Sequence, residues 1–275
     1  MKLRLYHHHD GARVAYREAG TGPALVLLHS AMLSHREWEP LVAELSDRFR
    51  LVLPDLPLHG DSEDRPAHPY SPDWLADVIA GFCRETSGPR PLVAGHDVGA
   101  QLLLRAVARG GLAPARVVLM SSALHTRPAR GRLEGRVRAA ARAAAVPGLD
   151  RLVARGARLA AERIAAGARP AERDLVRHAL AGMDGNAARA RAWSRAVRGW
   201  PPGAQPELLD AYRALADTPV LLLWALEDTM HPAAIAEEVL ELVPHAQLRL
   251  LPGTGFLMAY DDPVGLAREL AAFLI

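Results

Sequence analysis

Six runs of apolar residues, separated by stretches with helical spacing, constrain this chain more than any other feature: Ala24–Leu28, "RLVLPDL" (50–56), "PLVAGHD" (91–97), "ARVVLMSSA" (115–123), "PVLLLWALED" (219–228) and "QLRLLPGTG" (247–255). Their apolar stretches do not alternate with polar residues as a half-exposed strand would. A strand that is apolar on both sides must be covered on both sides, which calls for a parallel sheet between two helical layers. The intervening stretches 37–48, 73–85, 233–242 and 264–274 are amphipathic and supply those helices. The fold class expected is therefore α/β, a mostly parallel sheet flanked by helices. Ahead of it, Asp10-Gly11 marks a tight hairpin.

The alternation stops between 125 and 215. Stretches 131–145, 148–168, 170–183 and 186–198 are rich in Ala, Arg and Leu at helical spacing, punctuated by Pro147, Gly167, Pro170 and Gly185. Leu149, Leu152, Val153, Leu159 and Ile164 share one face of the second stretch. The expected division is a core of 1–124 and 216–275 with a helical lid at 125–215. Residues 126–200 carry 17 Arg against 6 acids, net +11 in a chain of net +2. Two readings of that basic segment stand. Lys2 is the only lysine, so compositional bias toward arginine explains solvated basic faces. Alternatively, the field steers an anionic small-molecule substrate, or an acidic carrier protein delivering one. Nucleic acid is not an expected partner, because no aromatic residues interleave with the arginines. A single cysteine, Cys83, excludes an internal disulfide, and no apolar run reaches the length of a membrane span. A cytoplasmic protein that does not contact membranes is expected. His7-His8-His9 alternate faces on a strand and cannot converge on an ion, so they are expected to be a solvated hairpin, with no metal and no cofactor.

"AGHDVGA" (94–100) joins an apolar strand to a helix through a turn flanked by Gly95 and Gly99, with Asp97 at its apex. A sharp strand–turn–helix of this kind exposes the apical side chain at the end of a sheet, where a nucleophile can act. The plain alternative is a helix N-cap, a position aspartate favours.

Four such stretches occur in one order. "LLHSAMLSHREWEPL", "PDLPLHGDSEDRP", "GHDVG" and "WALEDTMHP" resemble, respectively, the oxyanion loop, the D-x-x-G-x-G-x-S stretch, the nucleophile elbow and the acid-bearing strand end of the α/β-hydrolase superfamily. The resemblance extends over nearly the whole chain. An aspartate in G-H-D-x-G is similar to epoxide hydrolases, haloalkane dehalogenases and fluoroacetate dehalogenases, in which a carboxylate displaces a leaving group from a saturated carbon. It implies Asp97 as nucleophile, Asp228 as the acid of the triad, and an oxyanion hole from Val98 and Ser30. The superfamily's base, a histidine after the last strand, is replaced in "GTGFLMAYDDP" by Phe256, which is expected to line the pocket against Asp97. The halide-holding tryptophan and asparagine are also absent, with Val98 and Ser30-Ala31 in their places, and Tyr212 is the only tyrosine near the lid. His29, His96, His125 and His231 fall at or near strand ends as further pocket residues, and His231 follows Asp228 by three residues on the loop that normally orients the base. Three outcomes remain open. The first is a hydrolase resembling those enzymes, with its base supplied elsewhere; the second is a non-hydrolytic cyclase, isomerase or lyase using Asp97 as acid and base; the third is a silent ligand-binding protein.

Overall fold

The computed structural model describes the chain except residues 66, 127–130, 168, 182–185 and 202, and leaves undescribed the side chains of several further residues in the insertion, Ile164 among them. Eight strands form one sheet: β1 Lys2–His7, β2 Arg13–Ala19, β3 Ala24–Leu28, β4 Arg50–Pro54, β5 Leu92–His96, β6 Arg116–Met120, β7 Val220–Ala225 and β8 Gln247–Leu251. Their order is β1-β2-β4-β3-β5-β6-β7-β8, and β2 alone runs opposite to the other seven. The helices of the core are α1 Glu39–Leu45, α2 Pro72–Ser87 and α3 Val98–Ala108. Those of the insertion are α4 Gly131–Ala144, α5 Leu149–Gly167, α6 Arg173–Ala181, α7 Ala187–Gly199 and α8 Leu209–Ala214. The chain closes with α9 Ala234–Leu242, α10 Met258–Asp261 and α11 Pro263–Leu274.

Burial follows from the continuous apolar strands. Every residue of β7 is buried, and the sheet divides the core into two clusters. One contains Ile79, Phe82, Leu103 and Trp224, beneath α2 and α3. The other contains Trp38, Leu45, Leu266 and Leu270, beneath α1 and α11. These are the two helical layers that a doubly covered sheet requires.

Chain direction across the sheet reverses at β3, which pairs with β4 on one side and with β5 on the other. Such a switch point parts the loops that leave the carboxyl ends of adjacent strands and opens a crevice there. Here the loop after Leu28 and the turn after His96 border that crevice, because Leu28 pairs with Gly95 in register. Position alone marks Asp97 as the place to look.

Helices α4 to α7 pack on one another between β6 and β7, whereas α8, also inside the expected insertion, packs on α3 and buries Ala211 and Tyr212 in the main core. The apolar face expected on α5 is less buried than its spacing implies: Leu149, Leu152 and Leu159 are exposed. At the start of the chain the hairpin is present, with Gly11 at φ 87°. Its histidine triplet is not wholly solvated, however, since His8 is buried and hydrogen-bonded to the Tyr6 hydroxyl at 3.0 Å. Among the described residues no helix is long and apolar enough to cross a membrane.

Candidate active site

Asp97 closes β5 and precedes α3 with φ 47° and ψ −114°, a backbone geometry that side-chain-bearing residues seldom adopt. Its neighbours must be small for the turn to form. A Cβ on Gly95 would lie 2.7 Å from the Ala100 nitrogen, and one on Gly99 would lie 2.5 Å from the Leu28 carbonyl oxygen. The Ser122 hydroxyl donates to the Asp97 carbonyl at 2.8 Å and helps to hold the bend. The Asp97 side chain makes no cap hydrogen bond to α3, so helix capping does not explain it. It is 3 % exposed, and its two oxygens face different partners.

One partner is His231, whose Nε2 lies 3.3 Å from Asp97 Oδ1 while its Nδ1 lies 2.8 Å from Asp228 Oδ2. The backbone builds this arrangement locally. After β7 the chain turns so that the amides of Met230 and His231 donate to Asp228 Oδ1 at 2.8 and 3.3 Å. Trp224 then fixes the far side of the loop by donating its indole N–H to the His231 carbonyl at 2.9 Å. Burial by itself would lower the His231 pKa, but hydrogen bonds to Asp228 and Asp97, and the charges of both carboxylates, outweigh it and raise the pKa to about 9. The Asp228 carboxyl shifts the other way. Burial pushes it up, and the stronger pull of His231 and the loop amides leaves it below the ordinary aspartate value. His231 is thus held protonated between the side chains of Asp97 and Asp228.

Phe256 stands beside this chain of contacts. Its ring stacks on His231 with centroids 6.0 Å apart and an interplanar angle of 28°, and it also packs on His96 at 4.8 Å. It therefore walls one side of the His231 imidazole. Sequence spacing placed His231 on the right loop, three residues after Asp228, but could not say that the ring turns back to reach Asp97.

The other Asp97 oxygen, Oδ2, accepts the Ala31 amide at 3.2 Å. Ser30, the residue expected to provide that donor, gives its amide and its hydroxyl to Glu37 Oε2 at 2.8 and 3.1 Å instead. The loop is pinned by Glu37, and the next amide along is the one that faces the site. Val98, the other expected donor, is the first residue of α3, directly after Asp97. His96 is bonded through Nδ1 to Glu37 Oε1, and its Nε2 has no partner among the described residues. His29 bonds the Ser30 carbonyl at 2.7 Å and accepts the Leu56 amide at 2.8 Å. Burial drives its pKa down to about 3, so it is neutral and braces two loops. His125 bonds Tyr212 at 2.9 Å and Glu238 at 3.1 Å. These partners tie His29, His96 and His125 to loops and neighbouring helices.

His35, Asp55 and His178 are the group of described residues whose donor atoms could meet a metal ion, lying within 4.8 Å of one another. Asp55 is, however, already a filled node. Its Oδ1 accepts the His35 amide and faces His35 Nδ1 at 2.7 and 2.8 Å, its Oδ2 accepts the Asp61 amide at 2.9 Å, and the Arg17 guanidinium sits 3.7 Å away. Burial would raise the Asp55 pKa, but bonding to His35 prevails and holds it at about 2. A hydrogen-bonded brace between α6 and the core loops accounts for this cluster without an ion.

Comparison with known proteins points the same way as the fold. The sequence profile described as the alpha/beta hydrolase family matches residues 25–269. An uncharacterised protein of Mycobacterium tuberculosis is 27% identical over 278 residues, covering 96% of this chain and 77% of its own. A soluble epoxide hydrolase of a Corynebacterium species is 32% identical over 102 residues, 36% of this chain and 35% of its own. Among solved structures, an alpha/beta hydrolase fold protein from Burkholderia ambifaria superposes with a TM-score of 0.79 at 22% identity, over 99% of this chain and 98% of that one.

Proposed function

The chain belongs to the alpha/beta hydrolase family as an enzyme of that fold, and on that premise we propose that it hydrolyses a small organic substrate through a covalent ester on Asp97, with His231 as the base. The observation that carries this reading is the position of His231, 3.3 Å from Asp97 Oδ1 and 2.8 Å from Asp228 Oδ2. A lone carboxylate can attack but cannot discharge the ester it forms, since that step needs an activated water. A carboxylate–imidazole–carboxylate relay supplies what the second step needs. The non-hydrolytic and silent readings leave that relay without a task.

The chemistry follows from the two faces of Asp97. Oδ1 attacks a saturated carbon, and the carbon–oxygen bond of an epoxide or the carbon–halogen bond of an alkyl halide breaks with its electron pair on the leaving atom. Esterification removes the Asp97 charge, so one of the two carboxylates that hold the proton on His231 is lost. The imidazolium then gives up that proton, to the alkoxide of an opened epoxide or to solvent after halide departure. As a neutral base it takes a proton from the water that attacks the ester carbon. Negative charge develops on Oδ2, where the Ala31 amide already donates at 3.2 Å. Collapse of that intermediate expels the alkoxide, which takes the proton from His231 to leave as the alcohol, and the proton remaining on the Asp97 carboxyl passes to His231, restoring both the carboxylate and the imidazolium.

Similarity to a soluble epoxide hydrolase over 36% of the chain supports epoxides as the first probes. The test is to incubate the protein with styrene oxide and with 1-bromobutane, following diol or bromide release and intact-protein mass under acid quench. Turnover with a transient adduct lost in Asp97→Asn supports the proposal. Turnover undiminished in Asp97→Asn overturns it, as does a complete lack of turnover and adduct across a panel of epoxides and alkyl halides.

A further inference from the structure

Two arginines of this chain are almost equally buried and differently satisfied. Arg105, on α3, is 8% exposed and saturated by Asp73, Gln205 and Glu207 at 2.8, 2.7 and 2.6 Å. Arg189, on α7, is 9% exposed, yet among the described residues its guanidinium makes one hydrogen bond, to the Leu58 carbonyl at 3.0 Å. Asp64, with its side chain one-third exposed, stands 3.9 Å away, beyond hydrogen-bond range. A guanidinium presents five donors in a planar fork, and most of those on Arg189 meet no partner among the described residues. Arg105 is built as a strut. Arg189 is built as though a partner were still to come.

Its surroundings say which kind. Arg189 lines a small cavity with Trp193 and Ala179 from the lid helices and with Met32, Leu58 and His59 from the core loops. Met32 follows Ala31, whose amide lies on Asp97, so the cavity borders the loop that faces the nucleophile. The walls are apolar apart from His59, and burial lowers the His59 pKa and keeps that ring neutral. Leu58 occupies the first glycine position of the D-x-x-G-x-G-x-S stretch and is held at φ 75°, a left-handed conformation unfavourable for leucine. That geometry turns its carbonyl to Arg189 and places its side chain in the cavity wall. Burial lowers the Arg189 pKa, and the charges of Asp64, Asp55 and Asp61 offset that effect only in part.

We propose that this cavity is an anion-recognition subsite in which Arg189 binds a carboxylate on the substrate, so that the protein acts on small organic acids whose reactive carbon is presented to Asp97. The proposal rests on Asp97 being the reacting group. The planar fork fits a carboxylate with two parallel hydrogen bonds. It also narrows the meaning of the basic insertion: one inward arginine selects, whatever the exposed ones do.

The experiment compares oxirane-2-carboxylate with its neutral counterpart oxirane-2-methanol in the wild type, Arg189→Gln and Arg189→Lys. Arg189→Gln is expected to raise KM for the acid at least tenfold while changing the neutral epoxide less than twofold, with Arg189→Lys between. Equal effects on both substrates, or none on either, overturn the subsite. Butyrate binding by calorimetry to Asp97→Asn, with and without Arg189→Gln, separates this question from catalysis. Butyrate binding that is lost with Arg189→Gln supports the subsite even if no epoxide reacts, and binding that persists, or is absent throughout, defeats it. Melting temperatures of each variant, with Arg189→Lys as the charge-conserving control, distinguish a lost contact from an unfolded lid.

Discussion

Replacing His231 by Gln separates the two halves of the proposed reaction. Glutamine keeps a donor near Asp228 but cannot serve as a base at neutral pH. Asp228 retains the Met230 and His231 amides at 2.8 and 3.3 Å, so the loop has reason to stay folded, at a cost of roughly 1–3 kcal/mol for the lost side-chain bond. Attack by Asp97 does not use the base, so ester formation should fall less than about tenfold. Ester hydrolysis does use it. Removing one member of a catalytic triad typically costs about 10⁴- to 10⁶-fold, which corresponds to roughly 5–8 kcal/mol of transition-state stabilisation. The slow step therefore becomes discharge, and the variant should accumulate a stoichiometric adduct. Intact mass after exposure to styrene oxide should rise by one equivalent of substrate, and peptide mapping should place it on Asp97. Steady-state diol release should fall by the same four to six orders of magnitude (about 10⁴ to 10⁶). A His231→Gln protein that cycles within tenfold of the wild type would refute the assignment of the base. Loss of turnover with no trapped adduct would show that His231 acts before the ester forms, contrary to the order argued here.

Other outcomes follow from the same geometry. Asp97→Asn keeps the shape of the elbow and removes the attacking charge, so both adduct and turnover should vanish while the fold persists, as measured by mass and by circular dichroism. The folded His231 pKa of about 9 lies above its ordinary 6.5, so its contribution to stability is full below pH 6.5 and is lost as pH rises through 9. At most roughly 3 kcal/mol is at stake, and chemical denaturation of the wild type should weaken across that window while His231→Gln stays flat. Gly99→Ala would press a methyl to 2.5 Å from the Leu28 carbonyl and should cost about 1–3 kcal/mol in a urea melt, with activity falling as the oxyanion loop is displaced.

Much of the fold was legible because its signal is redundant. Each of the six apolar runs contains a strand of the sheet, and the breaks between them had to hold helices for the sheet to be covered. The insertion was less legible. Ala and Arg at helical spacing announce helices but not what they pack against, so α8 joined α3 rather than its neighbours, and Leu152 and Leu159 of α5 remain exposed. Helical periodicity gives a face, and only the partner decides whether that face is buried. The hairpin triplet departed from expectation for a related reason. Alternation puts His8 on the inner side of the strand end, and the Tyr6 hydroxyl there gives it a reason to stay.

The site was legible wherever local backbone dictates the geometry and opaque wherever a side chain must reach across loops. Asp97 could be found because two glycines and a strand-to-helix turn leave it little alternative. The Ser30 and Ala31 question could not be settled from spacing, since it depends on Glu37, seven residues on, capturing one amide and leaving the next for Asp97. The base is the sharpest case. A histidine after the last strand and a histidine after Asp228 are far apart in sequence, yet both loops converge on the crevice beside β5. What the chemistry requires is an imidazole nitrogen near Asp97 with its other nitrogen on a carboxylate, and either loop can provide it. On the proposed mechanism His231 fills that role, and Phe256 then no longer counts as a missing base. An aromatic ring stacked 6.0 Å from the imidazole excludes water from its flat face while leaving the edge that faces Asp97 free. The same exclusion strengthens the coupling of His231 to both carboxylates, because charges interact more strongly where water is kept out. Phenylalanine at this position and histidine at 231 are therefore one arrangement, and a substitution at either should be read through its effect on the other.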